Sequence, residues 1–385
     1  MKQELLEKIE GYDTVVREME ICRKFGMDYS VEKGQVQEYV SRLHPDRLSL
    51  KVSDIIEETP SAKTLRLVLP GGTLPPFQAG QYLAVFCNIG KVRTGRAYSI
   101  SSPPSRHGYF DITVRAVENG FVSSYLLKEV RVGDTLETSG PSGNFYYNPL
   151  IHDKSLVFLG GGSGITPFMS MIRETAECGL DLEISLFYGN KSLDDVIFHD
   201  ELVKISKSRK NIRYLPVIEN PSKGYKGACG YISGDLIKKE LGGVKGKTFF
   251  ICGPTAMYNF CIPELEGLAI PRNKIRREMY GAPKGISAHK GWPSNVKESD
   301  EFEIAVNSSK RIKARAGEPL LNSLERNGIV VPSLCRSGEC SMCRVKLVSG
   351  KVFQPEGVLV RKSDRTFGYI HSCAAYPIEN CEILI

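Results

Sequence analysis

The ten residues from Leu334 to Cys343 constrain this chain more tightly than any other stretch. They set Cys335, Cys340 and Cys343 at C-x4-C-x2-C spacing, and a fourth cysteine, Cys373, stands well downstream. Such spacing suits a [2Fe–2S] cluster. A loop of thiolates wraps two irons only if its backbone turns tightly. Gly338 relaxes that turn, and its short polar neighbours leave N–H groups free to face the sulfides. Zinc is the rival metal, but structural zinc sites usually pair their cysteines as two knuckles, whereas here three sit together and one apart. Disulfides would need an oxidising compartment, which nothing else in the chain suggests. The expected metal ligands are therefore Cys335, Cys340, Cys343 and Cys373.

The stretch from about Glu301 to Ile385 resembles plant-type [2Fe–2S] ferredoxins, in the version fused to flavin reductases. Ser341 departs from it, standing where such ferredoxins often carry Gly.

The chain's 385 residues allow two or three domains. Hydrophobic residues at 41% and charged residues at 25% are ordinary for a globular protein. No run of eighteen apolar residues occurs, so no membrane span is expected. The start, Met1 to Lys8, is charged throughout without an apolar signal core, so a cytoplasmic location is expected. A net charge of +7 without a dense Lys/Arg run gives no reason to expect nucleic acid as a partner.

Periodicity divides the chain into a helical N-terminal extension over 1–48, an antiparallel β-barrel over 49–150, an α/β domain over 151–281, a linker over 282–299 and a last part over 300–385, for which the ferredoxin resemblance implies an α+β β-grasp fold. In the extension Leu5, Ile9, Tyr12, Val16 and Met19 recur at three- and four-residue steps, and Gln35 to Ser41 suits a second short helix. Its apolar stripe suits either a cap on the next domain or a docking element for a partner protein. Short strands at Thr64–Leu69, Gln81–Phe86 and Asp111–Arg115, with a helical insert at Phe121–Glu129, predict a small antiparallel barrel. The apolar strand Ser155–Leu159, a helix from Thr166, and strands at Glu183–Tyr188, Ile212–Val217 and Thr248–Cys252 predict a parallel sheet covered by helices. Trp292, the only tryptophan, is expected to pin the linker to a neighbouring domain.

Arg96-Ala97-Tyr98-Ser99 offers a flavin an aromatic face, a cation for its phosphates and a hydrogen-bonding group near N5. Thr113-Val114-Arg115 adds a second strand with a cation. Gly120-Phe121-Val122-Ser123 opens a helix whose amides suit a pyrophosphate. With Gly140-Pro141-Ser142-Gly143-Asn144-Phe145, these resemble the flavin domain of the ferredoxin–NADP reductase family, over about Ser49 to Tyr280. The resemblance implies that Arg96, Tyr98 and Ser99 contact flavin and that Arg115, Gly120, Val122 and Ser123 lie along its phosphates. Most of the family holds FAD and a minority FMN, so both stay open with FAD favoured.

Gly160 to Pro167 links a strand to a helix, and its Gly161, Gly162 and Gly164 would let backbone approach a pyrophosphate. Cys252-Gly253-Pro254-Thr255-Ala256-Met257 ends another buried strand, where ligands of open sheets sit. The pairing of Gly162-Ser163-Gly164-Ile165-Thr166-Pro167 with Cys252-Gly253-Pro254 and Met257 resembles the same reductase family. Thr166 and Cys252 are thereby expected near the nicotinamide, and Pro167 among the cofactor-binding residues. Glu278-Met279-Tyr280 resembles the Glu-x-Tyr ending of the plant reductases, whose aromatic covers the flavin. The resemblance casts Ser99, Cys252 and Glu278 as the catalytic set positioning nicotinamide over flavin. The turn Gly189-Asn190-Lys191-Ser192-Leu193-Asp194-Asp195 is expected at the adenosine ribose, with Asn190 in contact. Two aspartates there would accept from a free 2′-OH and repel a 2′-phosphate, favouring NADH, while Lys191 favours NADPH. A further reading makes Asp194 and Asp195 caps of the next helix.

The domain order resembles reductase components of Rieske-type oxygenases and NADH-linked reductases of hybrid-cluster proteins. NAD(P)H would give a hydride to flavin, electrons would pass singly to the cluster, and a protein acceptor would collect them. Twelve Lys or Arg against ten Asp or Glu from Asp300 onward argue against steering of that acceptor by a large acidic face. Reverse flow from a reduced ferredoxin to NAD(P)+, and a redox-sensing subunit, are the alternatives.

Overall fold

The computed structural model describes residues 11–26, 35–283 and 285–385. Contacts divide the chain into Met1–Asp46 and Arg47–Ile385.

The first unit carries α1 (Tyr12–Lys24) and α2 (Gln35–Leu43). Asp13 in the first turn and Arg23 and Lys24 in the last complement the dipole of α1. No residue of α1 is buried; Val15, Met19 and Ile21 are exposed. Leu5 and Ile9 of the expected stripe lie outside the described residues.

The second unit begins with an antiparallel barrel. Its strands are β1 (Leu48–Thr59), β2 (Ala62–Val68), β3 (Tyr82–Ile89), β4 (Val92–Ser99), β5 (Phe110–Arg115) and β6 (Thr135–Thr138), with α3 (Phe121–Lys128) between β5 and β6. The order is β4-β3-β6-β1-β2-β5, and an Ile100–Ile112 bridge joins the two edges. In β1, buried Leu48, Leu50 and Val52 alternate with exposed Ser49, Lys51 and Ser53. This is the period-two pattern of a strand with one face in a core.

Next comes a parallel sheet. Its members are β7 (Ser155–Gly161), α4 (Ile165–Cys178), β8 (Glu183–Asn190), α5 (His199–Ser208), β9 (Ile212–Ile218), β10 (Ala228–Cys229), α6 (Gly234–Leu241), β11 (Lys247–Cys252), α7 (Thr255–Gly267) and β12 (Ile275–Glu278). The order is β10-β9-β8-β7-β11-β12. Strand β7 is apolar on both faces: Leu156 and Phe158 enter one core, Val157 and Leu159 the other. Helices on both faces demand this. The chain leaves β7 to build one side through β8 to β10 and returns to build the other through β11 and β12. The switch point therefore lies between the carboxyl ends of β7 and β11.

The C-terminal part is a mixed sheet, β14-β13-β19-β15-β17, with a helix packed on it. Its elements are β13 (Glu301–Val306), β14 (Lys310–Arg315), α8 (Leu320–Arg326), β15 (Arg344–Ser349), β16 (Val352–Phe353), α9 (Lys362–Thr366), β17 (Tyr369–His371), β18 (Tyr376–Pro377) and β19 (Cys381–Leu384). Leu320, Leu321 and Leu324 of α8 fill the core under the sheet, as in a β-grasp ferredoxin. The linker is ordered around buried Ile286. Trp292 sets its ring edge-on to Phe353 of β16 at 5.3 Å and donates Nε1–H to Val296 O at 2.8 Å. Its partner is thus the ferredoxin domain. No helix among the described residues is long and apolar enough to cross a membrane.

Candidate functional site

Cys335, Cys343 and Cys373 are buried, and Cys340 is partly so. The loop that carries the first three departs from ordinary L-residue geometry: Arg336, Gly338 and Ser341 have φ of 56°, 83° and 61°. Ser341, where the resemblance leads to Gly, therefore adopts the left-handed backbone that favours Gly. A Cβ at Gly338 would lie 3.0 Å from Val358 and 3.2 Å from Ala374, so a side chain there would press on both and strain the left-handed backbone. The backbone N–H groups of Ser337 and Cys340 donate to Cys335 Sγ, both at 3.4 Å. Cys373 comes from the turn between β17 and β18. Ser372 ties it to the loop, donating N–H and Oγ–H to Cys343 O at 3.0 and 2.7 Å. The thiols touch in pairs, Cys335 with Cys340 and Cys373, and Cys343 with Cys373. Four converging sulfurs with backbone donors facing them fit a two-iron cluster. None of the eleven cysteines forms a disulfide.

Arg96, Ala97, Tyr98 and Ser99 lie on β4, opposite Val85, Ala84, Leu83 and Tyr82 of β3. Arg96 donates to Thr94 Oγ1 at 2.8 Å and to Gly95 O at 2.7 Å. Burial and the nearby Arg336 lower its pKa to about 10. Thr113 Oγ1 is held by Thr64 and Ser101. Val114 and Val122 are core residues of the barrel, which leaves only their backbone for a ligand. At the start of α3, Ser123 Oγ is buried without a protein partner, and a Cβ at Gly120 would lie 2.2 Å from it. That cradle fits a flavin phosphate, an acceptor the protein itself does not supply there.

At the switch point the two glycine motifs pack backbone on backbone. A Cβ at Gly164 would lie 2.1 Å from Cys252 O; one at Gly161 would lie 2.6 Å from Met257 Sδ and 3.0 Å from Pro254. A Cβ at Gly253 would meet the same Met257 sulfur at 2.6 Å. Thr166 and Pro167 are buried in the first turn of α4, and Thr166 donates to Ser163 O at 3.0 Å. Asn190, buried at the end of β8, keeps its Oδ1 without a protein partner.

Three separate segments meet between these motifs. Ser99 Oγ and Tyr280 OH share a hydrogen bond, and Tyr280 OH donates to Glu278 Oε2 at 3.1 Å. Cys252, fully buried, contacts Tyr280 as well. Burial pushes the Glu278 carboxyl up to about 8; Glu339 and Cys335 raise it further, while Tyr280 and Ser99 oppose.

The ribose turn differs from expectation. Asp194 and Asp195 form a short 3-10 turn, and neither caps α5: Phe198 occupies that N-cap at φ 62° without a side-chain bond. Asp195 instead turns toward the barrel, accepting from Ser61 Oγ at 2.7 Å and pairing with Arg115. A half-buried cation from another domain outcompetes a helix cap, since a charge-assisted bond is the stronger one. Arg115 sits beside Gly162, whose Cβ would lie 3.0 Å from its Nη1. Sequence reasoning also missed Thr94 and Glu325, which bond across the barrel–ferredoxin junction 231 residues apart. No local pattern could have paired them.

The chain matches three family models: an oxidoreductase FAD-binding domain over 49–147, an oxidoreductase NAD-binding domain over 158–262 and a 2Fe-2S iron-sulfur cluster binding domain over 304–377. It is 30% identical over 332 residues to the NADH oxidoreductase HCR of Escherichia coli K12, covering 85% of this chain and 94% of that one. The chain belongs to the iron–sulfur flavoprotein reductases. It is a ferredoxin–NADP-reductase-type flavoprotein joined to a C-terminal [2Fe–2S] ferredoxin domain. This reductase is also 27% identical to the glycine betaine monooxygenase reductase subunit of Chromohalobacter salexigens, over 86% of this chain and 93% of that one. In fold it is similar to phthalate dioxygenase reductase, with a TM-score of 0.64 over 88% of this chain and 97% of that one at 24% identity. FAD, a [2Fe–2S] cluster and NAD(P)H are its cofactors and reductant, and electrons leave to a partner protein.

Proposed function

We propose that this reductase oxidises NADH and delivers single electrons to the terminal component of an oxygenase or a hybrid-cluster protein. The observation that supports this is the meeting of Ser99, Cys252, Glu278 and Tyr280 beneath the docked cluster loop. When bound, the flavin accepts a hydride and the cluster passes electrons singly, a division that nicotinamide cannot make for lack of an accessible radical.

The chain's own residues supply the geometry. Cys335, Cys340, Cys343 and Cys373 hold the cluster. Arg96, Ala97, Tyr98, Ser99, Thr113, Val114, Arg115, Gly120, Val122 and Ser123 would line the flavin, with Tyr280 as a further residue of its site. Gly161, Gly162, Gly164, Thr166, Pro167, Asn190, Gly253, Pro254 and Met257 receive the nucleotide. Ser99, Cys252 and Glu278 orient the nicotinamide, and orientation of reactants is worth several kcal/mol. Because the chain continues past Tyr280 into the linker, Tyr280 is tethered at both ends. The five-part division of the chain is proposed with the boundaries given above.

NADH remains the favoured donor on narrower grounds than the sequence suggested. Asp195 is engaged by Arg115, leaving exposed Asp194 against exposed Lys191 at the ribose turn. The test is flavin reduction by each nucleotide at matched concentrations. A larger kcat/KM for NADH is expected; a larger value for NADPH, abolished by Lys191→Ala, would reverse the assignment.

A further inference from the structure

A single buried polar chain links the cluster loop to the flavin strand. Arg336, next to the first cluster cysteine, donates Nη1 to Glu325 Oε1 at 2.6 Å and Nη2 to Glu325 Oε2 at 2.9 Å. Its Nη2 also donates to Asn322 Oδ1 at 2.6 Å. Glu325, near the end of α8, accepts in turn from Thr94 Oγ1 on β4 at 2.9 Å. Thr94 Oγ1 receives Arg96 Nη1 at 2.8 Å. Arg336 is 6% exposed, Glu325 7% and Thr94 3%.

Burying this pair takes both charges out of water, and apolar residues of similar volume would often do as well for stability. What a two-point guanidinium–carboxylate bond adds is orientation, because both planes are fixed at once. The chain's ends show what it orients. At one end Arg336 sits in the left-handed region, at φ 56°, within the cysteine loop. At the other, Arg96 shares β4 with Tyr98 and Ser99.

We propose that Thr94 and Glu325 are positioning residues: they hold the cluster loop in register with the flavin strand and so set the rate of electron passage from flavin to cluster. This rests on the ligand assignments proposed above for the cysteines and for Arg96 to Ser99. Neither Thr94 nor Glu325 is among those ligands. Removing Glu325 would leave Arg336 buried without a counter-charge, so folding could fail for that reason alone. Thr94→Val is the cleaner change. It keeps the β-branch, removes the hydroxyl and leaves Arg336 and Glu325 bonded to each other.

The experiment mixes anaerobic holoenzyme with NADH and follows flavin bleaching and cluster reduction separately. In Thr94→Val, flavin reduction should keep its wild-type rate. Cluster reduction should slow about tenfold, the scale on which small misplacements are felt. Thr94→Ser should restore it. Hydrogen exchange of the holoenzyme should quicken in the segments spanning 92–97 and 320–337 for the Val variant only. A merely destabilised protein would lose both steps together, or lose flavin. Wild-type cluster reduction and exchange in Thr94→Val would overturn the proposal, as would failure of Thr94→Ser to restore the rate. If the wild-type holoenzyme gives no reduced-cluster EPR signal with NADH, the cluster assignment itself fails, and the proposal with it.

Discussion

Glu278 shows what one residue's surroundings can do. It ends β12, buried, with Tyr280 and Ser99 as its polar partners. Burial disfavours its charged form, so its carboxyl titrates near 8 rather than at the ordinary 4.5. The folded protein therefore keeps a proton that the unfolded chain releases. Between about pH 4.5 and pH 8 the native state binds more protons, and stability must fall as pH rises through that window. Glu278→Gln carries no ionisable group and should lose this decline. Urea denaturation of the flavin-free protein at pH 6 and pH 8.5 measures it. The Gln variant should gain on wild type as pH rises, and a constant gap would show that Glu278 ionises normally. The pair Ser99–Glu278 was legible in sequence only through family resemblance. Nothing in the spacing of residues 99, 252 and 278 predicts that they meet.

At the scale of elements, the strand-to-helix turn after β7 was readable and its constraint was not. A glycine run before a helix signals close backbone approach. The structure identifies the neighbour: the carbonyl of Cys252, 2.1 Å from where a Gly164 Cβ would stand. Gly164→Ala should force β7 and β11 apart at their carboxyl ends, and overpacking of this kind costs about 1–3 kcal/mol. The expected result is a lower Tm and a raised KM for NADH, with iron content unchanged because the ferredoxin core is separate. An unaltered KM would show that the nucleotide does not use this turn. The ribose turn gives the converse lesson. Its aspartates look like helix caps in sequence, yet Asp195 bonds Arg115 and Ser61 of the barrel. A local rule yielded to a cation supplied from another domain.

Across the whole molecule, two half-reactions should be separable. The cysteine loop and the Ser99–Glu278–Tyr280 group lie on different domains, joined by the linker and by the Thr94–Glu325 contact. Cys373→Ser should therefore bleach the iron–sulfur absorption or alter the reduced EPR signal, while NADH still reduces the flavin at close to the wild-type rate. Full iron content with an unchanged signal would remove Cys373 from the ligand set. The sequence by itself determined the cysteine spacing, the change from helical to period-two to buried-strand patterning, and hence three kinds of domain. Those features are local, set by loop geometry and by which faces of an element meet a core. The tertiary structure alone decided that Glu325 reaches Thr94, that Asp195 holds Arg115, and that Trp292 packs on Phe353. Such pairings depend on how finished domains dock. A charged or aromatic side chain follows whichever partner docking brings within reach, and short-range sequence pattern carries no record of it.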